Sequence, residues 1–219
     1  MARIFQLPCF LLFLSSLLAF SQATDQPVVT FTLDFPGSQP EHYSLLVQSD
    51  GAAHYESSGR LSPDSEETDS FDLDFTASPE TRQKIFELAA KAGYFQKDLD
   101  SHHKNLAFTG KKSLSYKDGK RSGESTFNYS SQPAVQELTN LFQDLSTTLE
   151  FGRRLHYDHR YQKLALDAEL KRMEEMAHNG PLVELAAIAP VLQQIVGDAT
   201  VMNVSRARAQ RLLGNAGIH

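Results

Sequence analysis

The sequence predicts an α+β protein, an antiparallel sheet with two packed helices followed by a helical C-terminal region. Three observations carry this. Apolar residues alternate two apart in the front half, which is strand spacing; they recur three and four apart behind Pro79 and Pro133, which is helix spacing; and from Phe151 onward only the helical spacing remains. The organisation implied is a leader at residues 1–23, a sheet-and-helix domain at 24–150 and a helical region at 151–219.

The leader has the three parts of a secretory signal peptide. Arg3 supplies the positive start, Leu7 to Phe20 the apolar stretch, and Ser21-Gln22-Ala23 the small residues before the cut, so cleavage is expected between Ala23 and Thr24. The stretch falls short of the ~20 residues that span a bilayer as a helix. Left uncut it would hold the chain at a membrane, and only then is a membrane a partner. A lipoprotein is excluded, because the sole cysteine, Cys9, lies inside the apolar stretch behind Pro8. Without mature cysteines, disulfides, thiol catalysis and cysteine-bound metals are excluded too. An exported chain with no disulfide fits a bacterial periplasm or secreted bacterial protein. In that setting Asn128-Tyr129-Ser130 and Asn203-Val204-Ser205 are chance matches to glycosylation sequons.

The first strand is Val29-Phe31-Leu33-Phe35 and the second Tyr43-Leu45-Val47, each with its apolar residues on one face. Asp50-Gly51 turns the chain, since glycine accepts the positive φ of a tight hairpin, and Ala53 and Tyr55 continue beyond it. Phe71-Leu73-Phe75 is a further strand, with Ser70, Asp72, Asp74 and Thr76 on its wet face. Ser78 caps a helix that Pro79 opens; Ile85, Leu88, Ala89 and Ala92 form its stripe, and Gly93 ends it. Leu114 with Tyr116, an Asp118-Gly119 turn, and Phe127 with Tyr129 give two more strands. Pro133 then opens a helix striped by Val135, Leu138, Leu141, Phe142, Leu145 and Leu149. The two halves read as a duplicated strand–strand–helix unit, the first copy carrying a polar loop inserted over Ser57 to Ser70; two unrelated hairpin-plus-helix units fit the pattern equally.

Beyond Phe151 one long helix is expected, striped by Tyr157, Tyr161, Leu164 and Ala168 and by Leu166, Leu170, Met173 and Ala177, and ending at Asn179-Gly180. Pro181 opens the next, which Pro190 should kink by removing a backbone donor. A last helix runs from about Ala199 to Leu213. So broad an apolar surface needs the sheet or another chain against it.

Charge is uneven. Residues 24–150 carry 11 Lys and Arg against 20 Asp and Glu, whereas residues 151–219 carry 9 against 7. An acidic front half excludes nucleic acid as a partner, since that needs a basic footprint. Arg206, Arg208 and Arg211 give the last helix a basic edge, expected to pair with the acidic front.

Candidate chemistry is sparse. His156 and His159 share a helix face near Asp158 at a usable metal spacing, but no third ligand is in sight. His102 and His103 sit in a loop with Asp98 and Asp100 and are expected to be solvated. The acidic run Asp64, Glu66, Glu67, Asp69, Asp72 and Asp74 lacks the glycine and spacing of a calcium loop. Ser122-Gly123-Glu124-Ser125 lacks the frame of a nucleophile elbow, and Gly110-Lys111-Lys112-Ser113 lacks the glycine spacing of a phosphate loop. No catalytic, metal or cofactor residues are therefore assigned. Paired carboxylates, which any fold can bring together, keep a metal-independent hydrolase open.

Tyr43-Ser44-Leu45-Leu46-Val47-Gln48-Ser49-Asp50-Gly51, with Tyr55 after it and then a strand and a proline-led helix, resembles the opening of small secreted bacterial proteins of unknown function. The resemblance implies export and the fold class, and it brings no active-site residues. The expected role is a non-enzymatic binding or scaffolding module of the cell envelope, meeting a protein partner or a second copy through the C-terminal helices. The rivals are the paired-carboxylate hydrolase and a small-ligand-binding protein with a cavity between sheet and helices.

Overall fold

A computed structural model describes residues 26–60, 68–180 and 182–218. The leader with its Ala23–Thr24 junction, and Asp64, Glu66 and Glu67 of the acidic run, lie outside the described residues.

Each front-half alternation becomes a strand: β1 Val28–Asp34, β2 His42–Gln48, β3 Ala52–Arg60, β4 Thr68–Thr76, β5 Lys111–Lys117 and β6 Ser122–Phe127. They form one antiparallel sheet in the order β4-β3-β2-β1-β5-β6. Register places the inward residues in rows, one of them running Ser57, Tyr43, Leu33, Lys112, Phe127 from β3 to β6. The other face is polar, with Thr30, Thr32, Ser44, His54, Glu56 and Ser115 turned away from the helices.

Helix α1, Pro79–Lys91, begins as expected, the Ser78 hydroxyl accepting the Thr81 N–H at 3.2 Å. Helix α2, Pro133–Tyr161, lies beside it and covers the sheet; the Phe142 ring stacks on Phe31 at 5.2 Å. Helices α3 Leu166–Asn179, α4 Ala189–Gly197 and α5 Asn203–Asn215 form a further layer on α2. The fold is thus α+β with a helical C-terminal region.

Four expectations change. The polar segment is shorter than expected at both ends: Ser57, Ser58, Gly59 and Arg60 pair with Phe71, Ser70, Asp69 and Thr68, which lengthens β3 and β4, and residues 61–67 lie outside the described residues. Helix α2 passes through positions 150 and 151 without a break, and the interruption falls at residues 162–165. Bending there lets α3 fold back and bury Leu166, Leu170 and Met173 completely. Pro190 does not kink a helix but sits in the first turn of α4, where a missing N–H costs nothing; Glu184, at φ 56°, keeps the preceding residues out of the helix. The α5 arginines pair within their own region: Arg208 and Arg211 donate to Glu174, Arg208 also reaches Asp167 at 2.9 Å, and Arg206 caps the Val196 carbonyl. The α3 carboxylates lie nearer to α5 than those of the front half do.

Candidate functional site

At one end of the sheet the loop after β1 curls back on itself. The Phe35 N–H donates to the Glu41 carbonyl at 2.8 Å and the Ser38 N–H to the Phe35 carbonyl at 3.0 Å. Facing this loop are the middle of α2 and the side of α3. Between them lies a cleft of about 460 Å³.

Its floor is a buried carboxylate. Glu150, 3% exposed, accepts from the Tyr55 hydroxyl at 2.9 Å and the Ser57 hydroxyl at 2.6 Å on one oxygen, and from Arg153 at 2.8 Å on the other. A charge this deep survives only when paired and hydrogen-bonded, and both conditions hold. Burial first, and the Glu150 charge second, push the Tyr55 phenol far above its usual pKa, so it stays a donor.

One polar group here is not satisfied. The Tyr43 hydroxyl is buried with no hydrogen-bond partner. Its neighbour, the Ser146 hydroxyl, bonds Tyr55 at 2.9 Å and lies close enough to Tyr43 to oppose part of the upward shift that burial imposes, but not in good hydrogen-bond geometry with it. Burial likewise holds Tyr43 protonated.

The rim is cationic and partly apolar. Arg154 donates to Glu169 and lies 4.7 Å over the Phe151 ring, while Arg172 lies 5.7 Å over the same ring. Among the described residues Arg172 has no carboxylate in ion-pair range. Leu33, Phe35 and Met176 supply the greasy wall, and Gln39 and Gln143 the amides. Glu150 is the single carboxylate lining the cleft among the described residues.

The residues singled out in the sequence fall elsewhere. His159 does not join His156; it meets Asp198 at 3.0 Å, where Lys163 also binds at 2.6 Å. His156 is exposed beside Phe71, Leu73 and Ile188. Asp158 is raised to about 6 by burial and by the Glu169 charge, with Arg154 opposing. His102 bridges Asp98 at 2.7 Å, and Asp100 accepts the Asn128 and His102 N–H groups, so these carboxylates tie the loop to the end of β6 and sit below their usual pKa. His103 is exposed, as are Asp69 and Asp72, and Asp74 pairs with His54 at 2.7 Å. No cluster of three metal-ligating side chains occurs among the described residues. Ser125 accepts the Leu99 N–H at 3.0 Å, and Ser122 and Glu124 are exposed.

Sequence reasoning missed Tyr43, Glu150 and Arg172, and also Lys112, an inward residue of β5. Two left a trace as inward strand positions: Tyr43 beside Leu45 and Val47, and Lys112, which shares the parity of Leu114 and Tyr116. No protein-family model matches the chain, and a comparison with curated proteins finds no significant match. No helix of the described residues is long and apolar enough to cross a membrane.

Proposed function

We propose that the chain is a non-enzymatic binding module acting outside the cytoplasm, and that its ligand is small, amphipathic and anionic rather than a protein. The observation that carries this is Tyr43, a residue 3% exposed that lines a cleft with Arg172 on its rim and whose buried hydroxyl makes no well-formed hydrogen bond. A buried hydroxyl left unpaired costs about 1–3 kcal/mol, a cost that a ligand accepting its proton would remove. Arg172 supplies charge for a carboxylate, and Phe151, Leu33 and Met176 receive an apolar body.

Two features weigh against the other readings. Of the two stripes expected to recruit a partner, the one with Leu166, Leu170 and Met173 is buried inside the chain, while Tyr161 and Leu164 of the other stay exposed. A hydrolase of the paired-carboxylate kind needs a second acid in the site, and Glu150 already has Tyr55, Ser57 and Arg153 on its oxygens.

Calorimetry with octanoate, and octanol as the neutral match, tests the reading. Octanoate should bind saturably, octanol far more weakly, and Arg172→Met and Tyr43→Phe should each weaken octanoate about tenfold. Octanoate that leaves the amide resonances of Tyr43, Arg154 and Arg172 unmoved, in a protein that dimerises with concentration, would return the role to scaffolding through the exposed Tyr161 and Leu164.

A further inference from the structure

Lys112 is buried at 6% exposure with no acid beside it. Its ammonium meets only neutral oxygens: the Thr109 carbonyl at 3.0 Å, the Thr109 hydroxyl at 2.9 Å, the Gly110 carbonyl at 3.3 Å and the Asn128 carbonyl at 2.9 Å. Carbonyl dipoles solvate the charge but do not cancel it. Burial lowers its pKa, the direction an anionic neighbour would reverse. Lys112 lines a pocket of about 430 Å³ at the end of β5 and β6, and none of the described residues lining it is a carboxylate. A positive charge in a low-dielectric recess with no counterion is an anion trap.

Thr139 is the second, independent observation. A threonine inside a helix ordinarily returns its hydroxyl to the carbonyl four residues back. Two others on α2 do so, Thr147 to Gln143 at 2.9 Å and Thr148 to Asp144 at 3.2 Å. Thr139, a residue 6% exposed, lines the same pocket, and its buried hydroxyl makes no hydrogen bond at all. The rest of the wall suits neither a greasy ligand nor a bare ion. Asn140 and Gln143 present amides that can both give and take hydrogen bonds, Gln136, whose amide nitrogen already donates to Tyr129 and Ser130, offers its carbonyl oxygen, and Tyr129 adds an aromatic surface.

We propose that this pocket binds a polyhydroxylated carboxylate of the uronic-acid kind, its carboxylate facing Lys112 and Thr139 and its hydroxyls facing the amides. The site stands apart from the octanoate cleft, although Gln143 lines both. The inward row explains this adjacency, since Tyr43, Leu33 and Lys112 are consecutive register partners across β2, β1 and β5.

The test is amide shift mapping and calorimetry on the purified protein with D-glucuronate, D-glucose and acetate. Glucuronate should saturate shifts at Asn128, Thr139 and Asn140, and glucose and acetate should each bind at least about tenfold more weakly, one lacking the charge and the other the hydroxyls. Thr139→Val keeps the shape and removes only an unpaired hydroxyl, so its melting temperature should hold or rise while glucuronate affinity falls about tenfold. Lys112→Met should abolish the preference over glucose. Because that variant leaves four oxygens without their donor and can unfold, Thr139→Val decides alone in that event. Equal binding of glucose, equal binding of acetate, full affinity in Thr139→Val, or shifts confined to Arg154 and Arg172 would each overturn the proposal. The last of these would leave the cleft reading standing, and loss of octanoate binding would leave this one standing.

Discussion

At the bottom of the cleft three groups, Tyr55, Ser57 and Arg153, answer for the one carboxylate of Glu150. Arg153 lies 2.8 Å away at 8% exposure, so neither partner can fall back on water if the other is removed. Glu150→Ala should therefore destabilise the fold by about 3–5 kcal/mol, the cost of a buried guanidinium left alone. Tyr55→Phe removes one neutral donor and should cost about 1–2 kcal/mol. Urea unfolding measures both, and near-equal losses would mean that the network does not act as a charge pair. Little of this was legible beforehand. Glutamate next to Phe151 reads as a helix surface position, and only the fold shows that α2 turns that flank toward Tyr55. Lys112 was half legible, since strand parity places it inside, but lysine is so rarely buried that composition argues against parity. Thr139 was illegible, because an orphaned hydroxyl depends on what stands around it.

At the scale of elements, local signals were read well where a residue has one physical job. Ser78 and Pro79 start α1, and strand alternation found the six strands of the described residues, although Tyr129, read as part of the last, lies beyond the end of β6. Breaks without glycine or proline went unread: residues 162–165 interrupt the helices because α3 gains by folding back, a tertiary gain invisible to spacing. Gly152 tests how closely these elements meet. A Cβ there would stand 2.4 Å from Ile188 Cγ2, although within α2 alanine by itself favours helix by about 1 kcal/mol. Packing should win over propensity. Gly152→Ala should lower stability by about 1–3 kcal/mol, and adding Ile188→Ala should recover part of the helix gain. Thermal melts of the single and double variants decide it, and a stabilised single variant refutes close packing at this point.

For the whole molecule, acid sets the stability profile through Asp158. Its folded pKa of about 6 lies above the ordinary 3.8, so between these values the folded protein holds a proton that the unfolded chain has released. Stability should therefore rise as pH is lowered from 7 to 5. Below about 4 the trend reverses, because Asp118, held far below its usual range first by the Lys120 N–H, and Asp198, held there first by Lys163, must be protonated. Asp158→Asn should melt higher than the parent at pH 7 and match it more closely at pH 5. Parallel pH profiles for the two would remove Asp158 from this role. The general architecture, a sheet with helices and then helices alone, was readable because burial imposes a period on each element. Which layers touch was not, since periodicity names the face that is covered and is silent about what covers it.

The sheet order also dictates a sequence of events. β1 is central, flanked by β2 on one side and β5 on the other, and Val28 pairs with both Gln48 and Lys117. A chain emerging from its N-terminus can complete the meander β1 to β4 and its helix α1 while one flank of β1 still waits. That flank carries Val29, Phe31 and Leu33, a short apolar ribbon with unpaired amides, until Lys111–Lys117 arrives to close it. Long-range pairing of this kind is slow, and an open edge is where chains find each other. The half-made protein is thus its own most reactive binding surface, and a chaperone that covers β1 during that interval should raise the yield of folded protein more than any stabilising change in the finished core.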